Sequence, residues 1–337
     1  MEQLFPYQKG INILRGQTQK LAVMELSSRA CKLIAFHRDD VVNGFQWSSF
    51  QSETDLTHFG QYILNGELSM TVFEDHIWPV IAEKIVRAKS WEVDVLLTVS
   101  TSPLRQTELR EPLLDFMCCQ GLRVHVMAPH EETEATYAGF VWAQENKVAS
   151  TSLFVDQGGA STEISLIESG RLMDSLAFPF GTLNSVVCFQ RYLEAGETVP
   201  EALRHATQDL QSQLQVALRS WQPSLKASMM TAIGTAMTNL CGGAPREERH
   251  GRTWNMTEAQ QALDDLYQIL SNTEQASWLN PKENMAYTPL EKQLHTYLGL
   301  SMLLTLAQQG GVSEIVVNGV GMRYGLCAQL LAAIEQG

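Results

Sequence analysis

The sequence predicts an α/β protein of two halves with a cleft between them. Two observations carry this expectation. A short device of strand, terminal acid, small-residue turn and returning strand occurs twice, and each copy is followed by alternating helix and strand patterns. The composition of the 337 residues, 45% hydrophobic and 18% charged without a low-complexity tract, suits a soluble chain with a sizeable core.

The first copy is "KLAVMELSSRACKLIAFHRDDVVNGFQW". An apolar run ends at Glu25, Ser27 and Ser28 make a small polar turn, and "CKLIAF" returns as a strand; a charged turn "HRDD" and a third strand candidate follow. A helix is expected over "DHIWPVIAEKIVRAKSW", a buried strand over "DVLLTVS" and a helix over "ELREPLLDFMCCQ". A strand "RVHVMA" then leads to a helix over "HEETEATYAGFVWAQ".

The second copy, "SLFVDQGGASTEISLIESGRLMDSLAF", repeats the order: strand to Asp156, turn from Gly158 to Ser161, strand "EISLI", turn "ESG" and a third strand. Glu25 falls on Asp156, Ser27 and Ser28 on Gly158 and Gly159, and Leu33 on Ile164, so an internal duplication is expected. Helices follow near 200–218, a strand over "SMMTAIG", and a helix opened by "MTEAQQALDDLYQIL" with Thr257 as its cap and Gln260 three residues on. The helix "TYLGLSMLLTLAQQGG", the strand "EIVVNG" and a last helix from Tyr324 complete the chain, with long polar loops over 243–255 and 272–292. The expected domains are 1–140, with the terminal helix 323–337 packing back on it, and 141–322.

Several function classes are disfavoured. A formal net charge of −13 opposes nonspecific binding to DNA, which depends on basic side chains, but permits a phosphorylated ligand held by amides, an Arg and a cation. The N-terminus has no signal-peptide pattern, and "YLGLSMLLTLA" is too short to span a membrane. Six dispersed cysteines without C-x-x-C, and eight scattered histidines, point to a reducing, cytoplasmic setting without a zinc site. Adjacent Cys118 and Cys119 read as part of a helix packed on the core. Trp254 and Trp278 are candidates for a homodimer interface.

Two such turns facing each other suit phosphate chemistry. Glycine and small residues let backbone amides approach phosphate oxygens, and an acid at each strand end can hold Mg²⁺ or its waters. The plain reading of D-x-G-G-x-S-T-E is a tight hairpin turn; the second, parallel device favours phosphate.

Five stretches resemble the exopolyphosphatase/guanosine pentaphosphate phosphatase (Ppx/GppA) family of the actin-like ATPase superfamily: "VSTSPLRQTELREPLLDFM", "VMAPHEETEATYAGF", "FVDQGGASTEI", "AIGTAMTNL" and "VVNGVGMRYGLC". They run in order from roughly Lys20 to Leu331. The resemblance implies two actin-like (ribonuclease H-like) domains and hydrolysis of a terminal phosphoanhydride in inorganic polyphosphate or guanosine pentaphosphate. It places Glu132 as the general base, its pKa raised by burial and phosphate charge. The plain reading of Glu131, Glu132 and Glu134 is a solvated acidic helix start. Asp156, Glu163 and Glu25 would be Mg²⁺ carboxylates. Gly158, Gly159, Ser161, Thr162, Ser28, Arg29, Gly234 and Thr235 would line the phosphates, with Arg105 as a two-pronged clamp. Arg323 would anchor the last helix.

The first loop departs from the family pattern acid-apolar-Gly-Ser-Asn-Ser. In "ELSSRAC" the acid is Glu25, the glycine Ser27, the Asn Arg29 and the second Ser Ala30. Ala160 replaces the third glycine of the second loop; Leu294 and Lys292 replace the acid and Arg of a Glu-Arg-Ala-Asp segment. Two classes therefore stand: a Mg²⁺-dependent phosphohydrolase, or a non-catalytic member that binds a phosphorylated ligand or protein partner.

Overall fold

A computed structural model describes residues 6–41, 44–143, 151–221, 226–275, 278 and 288–335. The chain divides into two units, Met1–Asn146 with Val320–Gly337, and Lys147–Gly319. The expected boundaries lay a few residues away, after 140 and at 323.

The first unit is built on a sheet ordered β1–β5–β2–β3–β4, with β6 beside β5. The strands are β1 (Ile11–Ile13), β2 (Lys20–Leu26), β3 (Ala30–His37), β4 (Phe50–Leu56), β5 (Val95–Ser100) and β6 (His125–Val126). β2, β3 and β4 form an antiparallel meander, and β5 runs parallel to β2. Strand side chains alternate between faces. Leu21 and Val23 accordingly pack with Tyr324, Leu326 and Leu330 of the Met322–Glu335 helix, while Ala22, Met24 and Leu26 pack with Ile77, Ile81 and Leu113 on the other face.

The third strand of the first meander lies later than expected. Arg38–Val41 is one helical turn, and the strand begins at Phe50. Phe45 and Trp47 instead join an aromatic cluster with Phe50, Trp142 and Tyr324, so apolar residues that suggest a strand serve as core beneath a loop. The helix expected over 75–91 has its regular part at Trp78–Ser90, preceded by a π-turn, Phe73–Ile77. Pro79 accounts for that turn, because its ring crowds the carbonyl four residues back and offers no N–H.

The second unit has the order β11–β12–β10–β7–β8–β9. Its strands are β7 (Thr151–Gln157), β8 (Thr162–Glu168), β9 (Arg171–Phe178), β10 (Met229–Gly234), β11 (Thr253–Asn255) and β12 (Glu314–Val317). Again a β7–β8–β9 meander is antiparallel and a later strand, β10, lies parallel to its first member. The helix Thr182–Glu194 lies outside the sequence expectation, although Leu183, Val186 and Val187 have helical spacing and are buried.

One cap and one helix start differ from expectation. The Met256–Ser271 helix is capped by Asn255, whose side chain accepts from the Glu258 amide while the Glu258 carboxylate accepts from the Asn255 amide. Asn255 also ends β11, so the loop expected over 243–255 contains an edge strand. The apolar helix starts at Pro289 behind a Thr288–Glu291 capping box, and Leu294 is part of its buried side. Trp278 is core, packed edge-on against Phe189, and so is removed from any dimer surface. Among the described residues no helix is long and apolar enough to cross a membrane.

Cys118 and Cys119 are on a helix, Arg110–Cys119, but that helix packs through Leu113 and Met117 and both thiols are exposed. Cys31, Cys241 and Cys327 are buried, and burial pushes the Cys31 thiol up to about 12. Since the thiolate is the reacting form, limited maleimide treatment of the native protein at neutral pH labels Cys118 and Cys119 first. Intact mass and peptide mapping check this, and early modification of Cys31 would contradict the burial.

Candidate active site

In the first unit β2 ends in Glu25 and Leu26, the turn Ser27–Arg29 reverses the chain, and β3 returns. The register pairs Glu25 with Lys32 and Leu26 with Cys31, and the Ser27 amide donates to the Ala30 carbonyl at 3.0 Å. In the second unit Asp156 pairs with Glu163, Gln157 with Thr162, and the Gly158 amide donates to the Ser161 carbonyl at 2.9 Å. The two hairpins thus share register and turn hydrogen bond, as a duplicated device requires. They differ in what stands opposite the acid.

Glu25 is buried at 7% exposure. Its Oε1 lies 2.7 Å from Lys32 Nζ and its Oε2 3.4 Å from Arg323 Nε. The cation expected on Glu25 was Mg²⁺; the structure supplies two from the protein. Both carboxylate oxygens are thus engaged by cations of the protein itself. The Ser28 and Ser102 hydroxyls share a hydrogen bond of 2.8 Å, and the Ser28 carbonyl accepts from Gly60. The Arg29 carbonyl accepts from Thr57 and His58, so the segment after β4 braces the turn.

Arg105 and Glu132 meet. β5 delivers the short helix Ser102–Gln106, and β6 leads into the helix Pro129–Ala143. Arg105 Nη1 donates to the Met127 carbonyl at 2.7 Å and forms an ion pair with Glu132 Oε1. Glu132 is buried at 8% exposure, so the solvated helix start does not describe it. Glu131 is engaged too: its carboxylate accepts from the Ala128 amide at 2.6 Å and lies 3.1 Å from His125 Nε2. It anchors the backbone just before Glu132. Arg105, expected on phosphate, is here the ion-pair partner of Glu132.

In the second unit Asp156 and Glu163 are direct cross-strand neighbours, so their side chains share a face. Gly234 lies beside Gln157 in the parallel register, with φ of 139° and no room for a Cβ against the Gln157 carbonyl. Thr235 follows as the first residue of a short helix. Gln157, absent from the sequence expectation, ties this corner to the long helix through Nε2 and the Gly299 carbonyl at 2.9 Å. Two expected phosphate ligands are committed elsewhere. The fully buried Thr162 hydroxyl donates to the Phe180 carbonyl, and the Gly158 amide closes the turn. Buried polar groups must find partners, and here the hairpin uses them.

The sequence pattern of the Ppx/GppA phosphatase family matches residues 42–284, more than half the chain. The chain belongs to this phosphatase family. No curated protein matches the sequence. Among solved structures it is similar to a Ppx/GppA family member from Aquifex aeolicus at 16% identity and TM-score 0.67, covering 94% of this chain and 98% of that one. It is also similar to an exopolyphosphatase-like protein at 15% identity and TM-score 0.72, covering 94% and 99%. An exopolyphosphatase from Cytophaga hutchinsonii matches at 15% identity and TM-score 0.66, covering 94% and 98%. At these identities the likeness establishes the fold.

The segment matched to the family contains Arg105, Glu132, Asp156, Glu163, Gly234 and Thr235, while Glu25 and Arg323 stand outside it. Besides Gln157, Lys32 is missing from the sequence reading. Its signal is spacing: Lys32 follows Glu25 by seven positions, as Glu163 follows Asp156.

Proposed function

We propose that this family member is a Mg²⁺-dependent phosphohydrolase, cytoplasmic, that releases terminal phosphate from inorganic polyphosphate or guanosine pentaphosphate. The observation that carries the reading is Asp156 directly opposite Glu163 beside a glycine turn. Like charges in directly opposed positions of adjacent strands repel, and a divalent cation between them offsets that cost. The donor set fits Mg²⁺, which commonly takes one or two carboxylates and completes its shell with phosphate oxygens and water.

Bound Mg²⁺ would neutralise charge developing on the phosphate oxygens. Glu132 takes the proton of the attacking water, its position set by a helix start that Glu131 fixes. When phosphate arrives, Arg105 can exchange Glu132 for a phosphate oxygen, leaving the carboxylate to the water. Ser161 and Gly159 contribute polar groups of the turn, and Gly234 lets the adjacent strand pack against the Gln157 carbonyl behind it.

Phosphate release from long-chain polyphosphate and from guanosine pentaphosphate, titrated with Mg²⁺, tests the reading and names the substrate. Asp156→Asn or Glu163→Gln raises the Mg²⁺ concentration for half-maximal rate by about tenfold or more, the scale of losing one charged ligand. An unchanged Mg²⁺ requirement in both would sink the metal assignment. A second reading, a binding protein without turnover, draws on Glu25 being engaged by Lys32 and Arg323. It predicts ligand binding without release from either substrate.

A further inference from the structure

The first turn of the Thr182–Glu194 helix lies against the glycine turn of the second unit. The Thr182 amide donates to the Gly158 carbonyl at 3.2 Å, and the Leu183 amide to the Gly159 carbonyl at 2.8 Å. The first amides of a helix have no partner within it; here two of them close on consecutive carbonyls of the turn. The Gly181 amide donates to the Asn184 side chain at 2.9 Å, which fixes the chain just before the helix. The helix itself is anchored, because Val186, Phe189 and Leu193 are buried in one cluster with Leu203 and Leu298.

This approach needs glycine at 181. A Cβ there would lie 2.4 Å from the Gly159 carbonyl oxygen and 2.5 Å from that of Gly158. Backbone conformation does not require it, since φ of −135° and ψ of −170° are extended values that other residues adopt. The missing side chain serves the close approach.

The consequence is a direction. In a trans peptide the carbonyl and the following N–H point to opposite sides. Carbonyls of Gly158 and Gly159 held toward the helix therefore turn the Gly159 and Ala160 amides away from it. Among the described residues neither amide donates to an acceptor of the protein. A helix carries partial positive charge at its N-terminus, and hydrogen-bonded peptides polarise one another. The two turn peptides continue that dipole and carry its positive end to their own N–H groups, where an anion meets it at one remove.

We propose that Gly181 is a positioning residue for the glycine turn: it lets the start of the Thr182–Glu194 helix hold the turn carbonyls, so that the turn amides face a phosphate oxyanion. The proposal rests on the phosphoanhydride reading above. It separates two tasks within the second unit. Asp156 and Glu163, on the strands, serve the metal, and the turn set by the helix serves the anion with or without metal.

The test is calorimetric binding of inorganic tripolyphosphate to the full chain, in EDTA and then in Mg²⁺, with the melting temperature as control for folding. Gly181→Ala pushes the turn off the helix and weakens metal-free binding by about tenfold or more, the scale of one hydrogen bond to a charged group. Thr182→Pro deletes the amide that reaches Gly158, at a helix position where proline is well tolerated, and weakens binding in the same way. In both variants affinity falls by the same factor in EDTA and in Mg²⁺, so the gain from the metal is kept. Asp156→Asn shows the opposite pattern, keeping metal-free binding and losing that gain. Should Gly181→Ala unfold, Thr182→Pro decides alone. Wild-type affinity in the folded variants, or a gain from Mg²⁺ lost together with metal-free binding, overturns the role of Gly181 and leaves the hydrolase reading standing. No binding of tripolyphosphate by the wild type in either condition overturns both.

Discussion

Glu132→Gln lowers the rate of phosphate release by ~10²–10⁴-fold, the range a positioned general base contributes, with a much smaller change in KM. Gln has the shape of Glu and keeps an acceptor oxygen toward Arg105, so the Pro129–Ala143 helix retains its start. What disappears is the ability to take a proton. The loss falls on kcat because the interaction with the water matters in the transition state and not in binding the phosphate chain. Steady-state release at saturating Mg²⁺ checks this, with the melting temperature as control for folding. A variant within threefold of wild type, properly folded, would remove Glu132 from the chemistry and favour the binding-protein reading.

Gly325→Val destabilises the first unit by about 3 kcal/mol, the upper part of the range for overpacking a close contact. Gly325 is on the Met322–Glu335 helix where it crosses Pro129–Ala143. A Cβ there would run into the Ala135 carbonyl, and one at Gly139 would lie 2.7 Å from the Gly325 nitrogen. No rotamer relieves a clash with backbone, so the helices must part. One carries Glu132 and the other Arg323, so separation disturbs the Arg105–Glu132 pair and the Lys32–Glu25–Arg323 ion pairs together. The melting temperature falls by roughly 6–12 °C. Ala332→Val, on the exposed side of the same helix, controls for β-branching in a helix and shifts it far less. Equal shifts in the two variants would refute the close-packing argument.

The parts of this protein legible in its sequence are the local ones. Both hairpins announce themselves through an acid, a small-residue turn and alternating apolar residues, and their seven-residue spacing fixes which residues oppose each other. Asp156 opposite Glu163 follows from that spacing once the turn closes. The third strand of the first meander was misplaced because Phe45 and Trp47 carry strand-like hydrophobicity yet serve a ring cluster. The cap of the Met256–Ser271 helix shifted because Asn255, not Thr257, sits where a side-chain oxygen can reach the third amide.

Sequence by itself determined the α/β class, the duplication and the chemical character of the two loops, since these rest on periodicity and on residues a few positions apart. Only the tertiary structure decided which charges meet. Arg105 and Glu132 come from separate helices that β5 and β6 deliver side by side, and Arg323 reaches Glu25 from the other end of the chain. Coulombic partners are chosen by distance in space, and a distant residue's approach depends on how closely backbones pack, here through glycines at 139 and 325. For that reason the first loop shows only an altered acid as a string of residues, and an acid holding two cations once folded.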